Sequence, residues 1–329
     1  MISLSVMKTK IAVVIPNWNG KDVIKSCLDS LLSQKAEAKI VVVENASIDG
    51  SLEFVKNNYP DVVVLEQGKN LGFAGGVNMG IKYAMKNDYE FVALFNNDAV
   101  ADKNWLGYLI KELEENSETG IATCKFLTTD GEKIDSTGDL YTSWGLPFPR
   151  GRDEKEDGQY DAKNEVFAAT GGASLYRLSM LEQIGLFDED FFAYFEDVDI
   201  SFRAQLAGWK VRYVPKAIAY HKIGATSGKI SGFTTFQTLK NLPWVYWKNV
   251  PLSIAIPMFP KIFIVYWAIF VRAILRGEIF IAIKATIICH VFIPKKLFYQ
   301  RFKIMRLKRV GNNYIKSIIY KGPPPNAKK

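Results

Sequence analysis

Four short apolar runs, each followed by a segment with helical spacing, fill the first 120 residues and constrain the fold more than any other feature of the chain. "KIAVVIPNW" is a continuous apolar run that reads as a buried strand, and "GKDVIKSCLDSLLSQ" places Val23, Ile24, Cys27, Leu28, Leu31 and Leu32 at the period of an amphipathic helix. "KIVVVENAS" and "DGSLEFVKNNY" repeat the pair, with Ser51 or Asp49 expected to cap the second helix. "VVVLEQGKN" leads into the glycine-opened helix "GFAGGVNMGIKYAMKN", and "YEFVALFNND" into "NWLGYLIKELEEN". Strands that alternate with helices of this length predict an α/β fold, a parallel doubly wound sheet with ligand sites at the strand C-termini.

Beyond Gly120 the pattern changes to turn signals and short strands in "GIATCKFLTTDGEKIDSTGD". "RGRDEKEDGQYDAK", residues 150–163, is charged and nearly free of apolar residues, which predicts an exposed loop that is mobile until substrate binds. Order is expected to return from "VFAATGGASLYR" to "AIAYH". The chain divides into a first domain at 1–235, with halves at about 10–120 and 121–235, and a basic helical region at 236–329.

The net charge of +8 conceals an asymmetry. Up to His221 there are 23 Lys and Arg against 33 Asp and Glu, whereas from Lys222 onward the counts are 19 and 1. Two regions so different in charge face different partners. Two apolar segments of the basic part, Ile254 to Val271 and Ile279 to Ile293, are too apolar for a nucleic-acid-binding arm and point to an anionic membrane surface. The first contains Pro257, Pro260 and Lys261, the second Lys284 and His290, and a span needs roughly 20 mainly apolar residues, so interfacial helices fit better than spanning ones. "KKLFYQRFKIMRLKRV" adds a basic amphipathic segment. The competing interpretation is a helical subdomain packed on the first domain, and the aromatic-rich tail suits a homodimer as well as a membrane. "MISLSVMKTK" is too short and too weakly apolar for a signal peptide, so a start in the cytosol is expected. Cys27, Cys124 and Cys289 are too far apart for a disulfide framework or zinc knuckle.

All four strand ends carry polar residues suited to a nucleotide: "PNWNG" with Pro16, Asn17, Trp18 and Asn19; "ENASIDGS" with Glu44, Asn45 and Asp49; "NLGFAGGVNMG" with Asn70, Gly72, Gly75, Gly76 and Asn78; and "FNNDAV" with Asn96, Asn97 and Asp98. Trp18 can stack on a base, and the glycines allow a phosphate to approach a helix N-terminus. Each end alone is ordinary turn chemistry; four in succession favour a site. Asp98 can hold Mg²⁺ or Mn²⁺ against a diphosphate, but one carboxylate needs a second ligand. His221 ends the strand-like "AIAYH" and is the candidate, although a lone histidine is more often structural. "YFEDVDISFR" places Glu196, Asp197 and Asp199 in an aromatic setting. Burial beside other acids raises a carboxyl toward a value useful for general base catalysis, while an acidic helix N-terminus satisfied by backbone N–H groups is the structural alternative.

Together "VVIPNWNG", "VVVENASIDGS", "NLGFAGGVN", "FNNDAV", "GGASLYR", "FFAYFEDVDISFRAQLAGW" and "YHKIGATSG" resemble glycosyltransferase family 2, in particular its bacterial rhamnosyltransferase-like branch, in order over roughly residues 10 to 230. The resemblance implies the GT-A fold, a dTDP- or UDP-sugar donor and inversion at the anomeric carbon. "NND" looks like the family's DxD motif, with Asp98 on the metal and Asn96 where an acid often stands. "FED" looks like its acceptor-side motif, which implies Asp197 as the base and Glu196 as its neighbour. His221 falls where related enzymes place a metal-binding histidine. Asp49 and Glu44 would lie near the nucleobase and ribose, and Asn70, Gly72 and Asn78 near the donor. The family expectation is rhamnose from dTDP-rhamnose, transferred at the cytoplasmic membrane face to a polyprenyl-diphosphate-linked glycan for cell-surface polysaccharide. A UDP-hexose-dependent transferase and a non-catalytic sugar-nucleotide-binding membrane adaptor are the alternatives. A nucleotidyltransferase is disfavoured because "PNWNG" is not a basic, glycine-rich pyrophosphate signature.

Overall fold

The structure is a computed structural model and describes residues 10–162, 164–222, 230–292 and 294–322. The βα alternation appears as expected: β1 (Ile11–Asn17), α1 (Lys21–Leu32), β2 (Lys39–Glu44), α2 (Ser51–Asn58), β3 (Val63–Glu66), α3 (Gly72–Lys86) and β4 (Phe91–Phe95). β5 (Ala99–Ala101), α4 (Trp105–Glu115), β6 (Thr119–Thr128), β7 (Ile134–Ser136) and a hairpin of β8 (Asp139–Tyr141) and β9 (Pro147–Pro149) follow. β10 (Ala173–Arg177), α5 (Leu178–Ile184), α6 (Glu196–Leu206) and β11 (Lys210–His221) complete the sheet region.

Strands run in the order β3-β2-β1-β4-β10-β6-β11-β5. The first four are parallel, as the βα units require, but β10 is antiparallel to both neighbours and β5 is antiparallel to β11. The sheet is therefore mixed. Both faces are buried: Val13 and Ile15 point to a core with Ile24, Leu28 and Trp105, whereas Ala12 and Val14 point to one with Val77, Ile81 and Ile200. That two-residue alternation between two apolar cores explains why the strands read as unbroken apolar runs. α3 lies so close to β1 that a Cβ on Gly80 would sit 2.2 Å from Val14 Cγ1.

Two local expectations need correction. Neither Ser51 nor Asp49 caps α2; Gly50, left-handed at φ 81°, holds that position without a side-chain bond. Asp49 instead accepts from the Lys21 amide (2.8 Å) and the Ser51 amide (3.0 Å), tying the starts of α1 and α2 together. The charged stretch from Arg150 is pinned rather than loose, as far as residue 162; Lys163 lies outside the described residues. Arg150 is buried between the rings of Tyr160 and Tyr213 and donates to Thr137 Oγ1, while Lys125 reaches both Glu156 and Asp161 at 2.6 Å. Charges that bind one another satisfy this segment without apolar residues, which composition alone does not reveal.

The C-terminal region is helical: α7 (Phe233–Asn249), α8 (Leu252–Leu275), α9 (Ile279–Ile287), a π-helical turn (Ile288–Phe292), α10 (Pro294–Leu307) and α11 (Asn312–Ile318). α7 crosses the division drawn at 235 and is fastened to the first region by buried polar groups, Lys248 to Asp188 (2.6 Å) and Asn249 to Asp199 (2.8 Å) among them. Ile254 and Ile262 of α8 and Ile315 of α11 share a core with Phe202 and Leu206 of α6. The helices thus pack on the sheet region, yet α8 to α10 also expose Ile256, Phe263, Trp267, Phe280 and Phe298 to solvent. Pro257 and Pro260 do not break α8, which among the described residues is the one helix long and apolar enough to cross a membrane.

Candidate functional site

The C-terminal ends of β1, β2 and β4, the start of α3 and the N-terminus of α6 enclose a cavity of about 680 Å³. Pro16, Trp18, Asn45, Asn70, Gly72, Asn96, Asn97, Asp98, Glu196, Asp197 and His221 line it. The structure brings together around one cavity what the sequence offered as scattered candidates. Seven others lie behind its lining or beside it. Asn17 is buried and donates to Glu44 Oε2 (2.7 Å) and Ser51 Oγ (3.0 Å), while its Oδ1 accepts from Asn97 Nδ2 (2.8 Å). Asn17 and Glu44 therefore lock the ends of three strands beneath the cavity. Gly20 makes room for the lock, since a Cβ there would lie 2.3 Å from both amides.

Asn19 stitches the β1 and β2 loops, its Oδ1 accepting from the Ile48 amide and its own amide donating to Ser47 Oγ. With Asp49 it shapes the rim. Gly75 and Gly76 serve packing: a Cβ on Gly76 would meet Asn45 Nδ2 at 2.8 Å and Pro16 at 3.2 Å, and one on Gly75 would meet Leu71. Asn78 faces away and clamps Phe187 through both its carbonyl and its amide. Asn70 Oδ1 accepts from the Gly72 amide at 2.8 Å, which sets the entry to α3. Asn45 Oδ1 is buried and has no partner among the described residues.

On the next wall, His221 Nε2 stands 3.2 Å from Asp98 Oδ1, and its Nδ1 is 2.8 Å from Asp135 Oδ2. Antiparallel pairing of β11 with β5 brings His221 opposite Ala99, and Phe126 stacks on the imidazole at 4.6 Å. Burial opposes a charge on this ring, but hydrogen bonds from the ring to the carboxylates of Asp135 and Asp98 outweigh it and push the imidazole up to about 9. A carboxylate on one ring nitrogen is how metal-binding histidines are commonly oriented, leaving the other nitrogen for the ion. Among the described residues no three His, Cys, Asp or Glu side chains form a cage. Two protein ligands, with water and phosphate oxygens for the rest, suit Mg²⁺ or Mn²⁺. Asp135, itself held by Arg152 at 3.0 Å, escaped the sequence reading because the "DSTGD" turn follows no βα strand end. Of "YHKIGATSG", residues 223–228 lie outside the described residues.

The acidic cluster splits into two. Asp197 Oδ2 accepts from the Gly171 amide (3.0 Å) and Oδ1 from the Val198 amide (2.8 Å), and burial outweighs these bonds to raise its carboxyl above the ordinary range. Glu196 is 6% exposed, its Oε2 has no partner among the described residues, and burial beside Asp197 raises it further. Asp199 turns away into the protein. Burial works against its charge, but Lys248 (2.9 Å) and Arg203 (3.0 Å) hold it below the usual carboxylate range. The approach to α6 is strained, with Phe192, Tyr194 and Phe195 all at positive φ of 63–71°, a backbone cost that tends to mark functional sites.

Residues 12–185 match the profile of glycosyl transferase family 2. The chain belongs to this family. Among its relatives, the low-salt glycan biosynthesis hexosyltransferase Agl10 of Haloferax volcanii is 28% identical over 205 residues, covering 60% of this chain and 62% of its own length. The N-acetylglucosaminyl-diphospho-decaprenol L-rhamnosyltransferase of Mycobacterium tuberculosis is 27% identical over 218 residues, with 59% and 70% covered. In fold, the chain is similar to a mannosyltransferase of Pyrobaculum calidifontis solved with GDP-Man and Mn²⁺, at a TM-score of 0.55, 15% identity and coverage of 93% and 88%. The fold is GT-A, and the chain is a family 2 glycosyltransferase with a mixed sheet and an apolar C-terminal helix.

Proposed function

We propose that this glycosyltransferase moves a sugar with inversion from a nucleoside-diphosphate donor to a hydroxyl of a lipid-linked glycan in cell-surface polysaccharide synthesis. The observation that carries the reading is that Asp98, His221 and Asp197 line one cavity at the C-terminal edge of the sheet. Trp18 offers a stacking surface for the base, Asn45 Oδ1 an unused acceptor, and the start of α3 a positive helix end for the diphosphate. Asp197 takes the proton of the acceptor hydroxyl as that oxygen attacks the anomeric carbon. The bond to the donor diphosphate breaks on the opposite face, its electron pair leaving with the diphosphate. Glu196 lies beside the acceptor. A raised carboxyl makes Asp197 a stronger base near neutral pH than an ordinary aspartate. Mg²⁺ or Mn²⁺ bound at Asp98 and His221 Nε2 would neutralise charge on the leaving diphosphate. Asp135 keeps Nε2 aimed at Asp98.

The donor we propose is dTDP-rhamnose and the acceptor a polyprenyl-diphosphate glycan; the name of the mycobacterial relative supports the rhamnosyl group and the lipid-diphosphate acceptor. A UDP-hexose donor is the second reading, and the name of the haloarchaeal relative supports transfer of a hexose. The exposed apolar residues of α8 to α10, together with the basic charge of this region, support peripheral attachment to the cytoplasmic membrane face. A panel of dTDP- and UDP-sugars, assayed with and without Mn²⁺, tests the reading. Turnover of one donor is expected to need the ion and to fall at least about 100-fold in Asp98→Ala. Turnover indifferent to both would remove the metal from the mechanism.

A further inference from the structure

Asp139 is a fourth carboxyl on the cavity wall, and the chemistry above does not use it. Its backbone is fixed at both polar groups: the amide donates to Ala168 O (2.7 Å) and the carbonyl accepts from the Ala168 amide (3.0 Å). Ser136 Oγ donates to its Oδ1 at 3.2 Å. The preceding Gly138 is left-handed at φ +88°, with Val166 2.9 Å from where a Cβ would stand, so the turn is closely packed. The side chain is held in place at 9% exposure.

The charged groups around Asp139 come from several elements: Asp197 of α6, Arg152 after β9 and Asp135 of β7. Arg152 spends its guanidinium on Asp135, through Nη2 to the carboxylate and Nε to the carbonyl, and among the described residues no base pairs with Asp139. The Tyr176 hydroxyl of β10 sits within the field of Asp139, Glu196 and Asp197. Burying an unpaired carboxylate is costly, so the group is expected to be neutral or to meet a ligand. Burial, with the charge of Asp197 added, pushes Asp139 up to about 7, so near neutral pH its carboxyl is protonated in a substantial share of molecules. Glu196 independently points to a ligand here, because its buried Oε2 has no partner among the described residues at the same cavity.

We propose that Asp139 positions the acceptor, its carboxyl group binding a second hydroxyl of the sugar whose neighbouring hydroxyl Asp197 deprotonates. The acceptor class is then a sugar with two hydroxyls within reach of one wall. This rests on the reading of Asp197 as base and of a lipid-linked glycan as acceptor.

The test uses the full chain, its best donor from the panel, and polyprenyl-diphosphate N-acetylglucosamine as acceptor probe, between pH 6 and 8.5. The wild-type acceptor KM should rise as the pH passes about 7, where Asp139 ionises. Asp139→Asn keeps a neutral group of the same shape. It should hold the acceptor KM within about threefold of wild type at pH 6 and abolish the rise above 7, whereas Asp139→Ala should raise the KM about tenfold throughout. The donor KM should stay constant in both. An acceptor KM unchanged in Asp139→Ala, a pH dependence that survives in Asp139→Asn, or a donor KM that climbs in parallel overturns the proposal alone. A wild type that transfers nothing to the probe overturns the acceptor reading and this proposal with it.

Discussion

Asp197 and Asp199 are two residues apart on one helix, yet one faces the cavity and the other a cluster of cations, and their carboxyls are displaced in opposite directions. The sequence "EDVD" marks acids worth attention, but which of them is functional depends on Lys248 and Asn249, some fifty positions later. Removing Asp199 would leave Lys248 and Arg203 with less compensation in a buried site, so Asp199→Ala should lower folding stability by about 3–5 kcal/mol in denaturant titrations. The pH dependence has a definite sign. A carboxyl held low in the folded state contributes fully above its unfolded value of about 3.9 and loses the contribution as pH falls through the folded value. The gap between wild type and Asp199→Asn should therefore close in strong acid. A gap that widened there would contradict the assignment.

At the scale of elements, the strands of the first half were legible because both their faces meet apolar cores and because helices punctuate them at regular intervals. Their polar ends were legible for the same reason, since a βα turn has a fixed place in the sheet. What could not be read was the division of labour among those ends. Asn17 and Asn97 are both amides after strands, yet Asn97 lines the cavity while Asn17 braces it from behind through the Asn97–Asn17–Glu44 chain. The wall from Asp135 to Arg152 was missed altogether. Its residues come from short strands and turns whose positions depend on long-range pairs such as His221 with Asp135, and no local period encodes those.

For the whole molecule, the charge asymmetry at Lys222 is the feature whose meaning the structure sharpens most. The basic helices supply both a core shared with α6 and an apolar outer face, so the two interpretations weighed from composition describe two sides of one layer. Deleting residues 250–329 would open that core around Phe202, and surface substitutions are the cleaner probe of membrane binding. Changing exposed Phe263, Trp267 and Phe280 together to Ser should weaken co-sedimentation with anionic vesicles at least about tenfold without loss of donor binding. Binding of the unchanged chain should fall with added salt, as expected for basic residues on an anionic surface. Retention of the triple variant on vesicles would show that another face makes the contact.

The account stands on a base and a leaving-group site sharing one cavity, and the most direct measurement is transfer by Asp197→Asn beside donor binding by the same protein. The substitution keeps the side chain's size while removing the proton acceptor. Transfer is predicted to fall by about 10²–10⁴-fold with the donor dissociation constant unchanged within about twofold. Transfer within a few-fold of wild type would mean that Asp197 is not the base and that the cavity performs different chemistry.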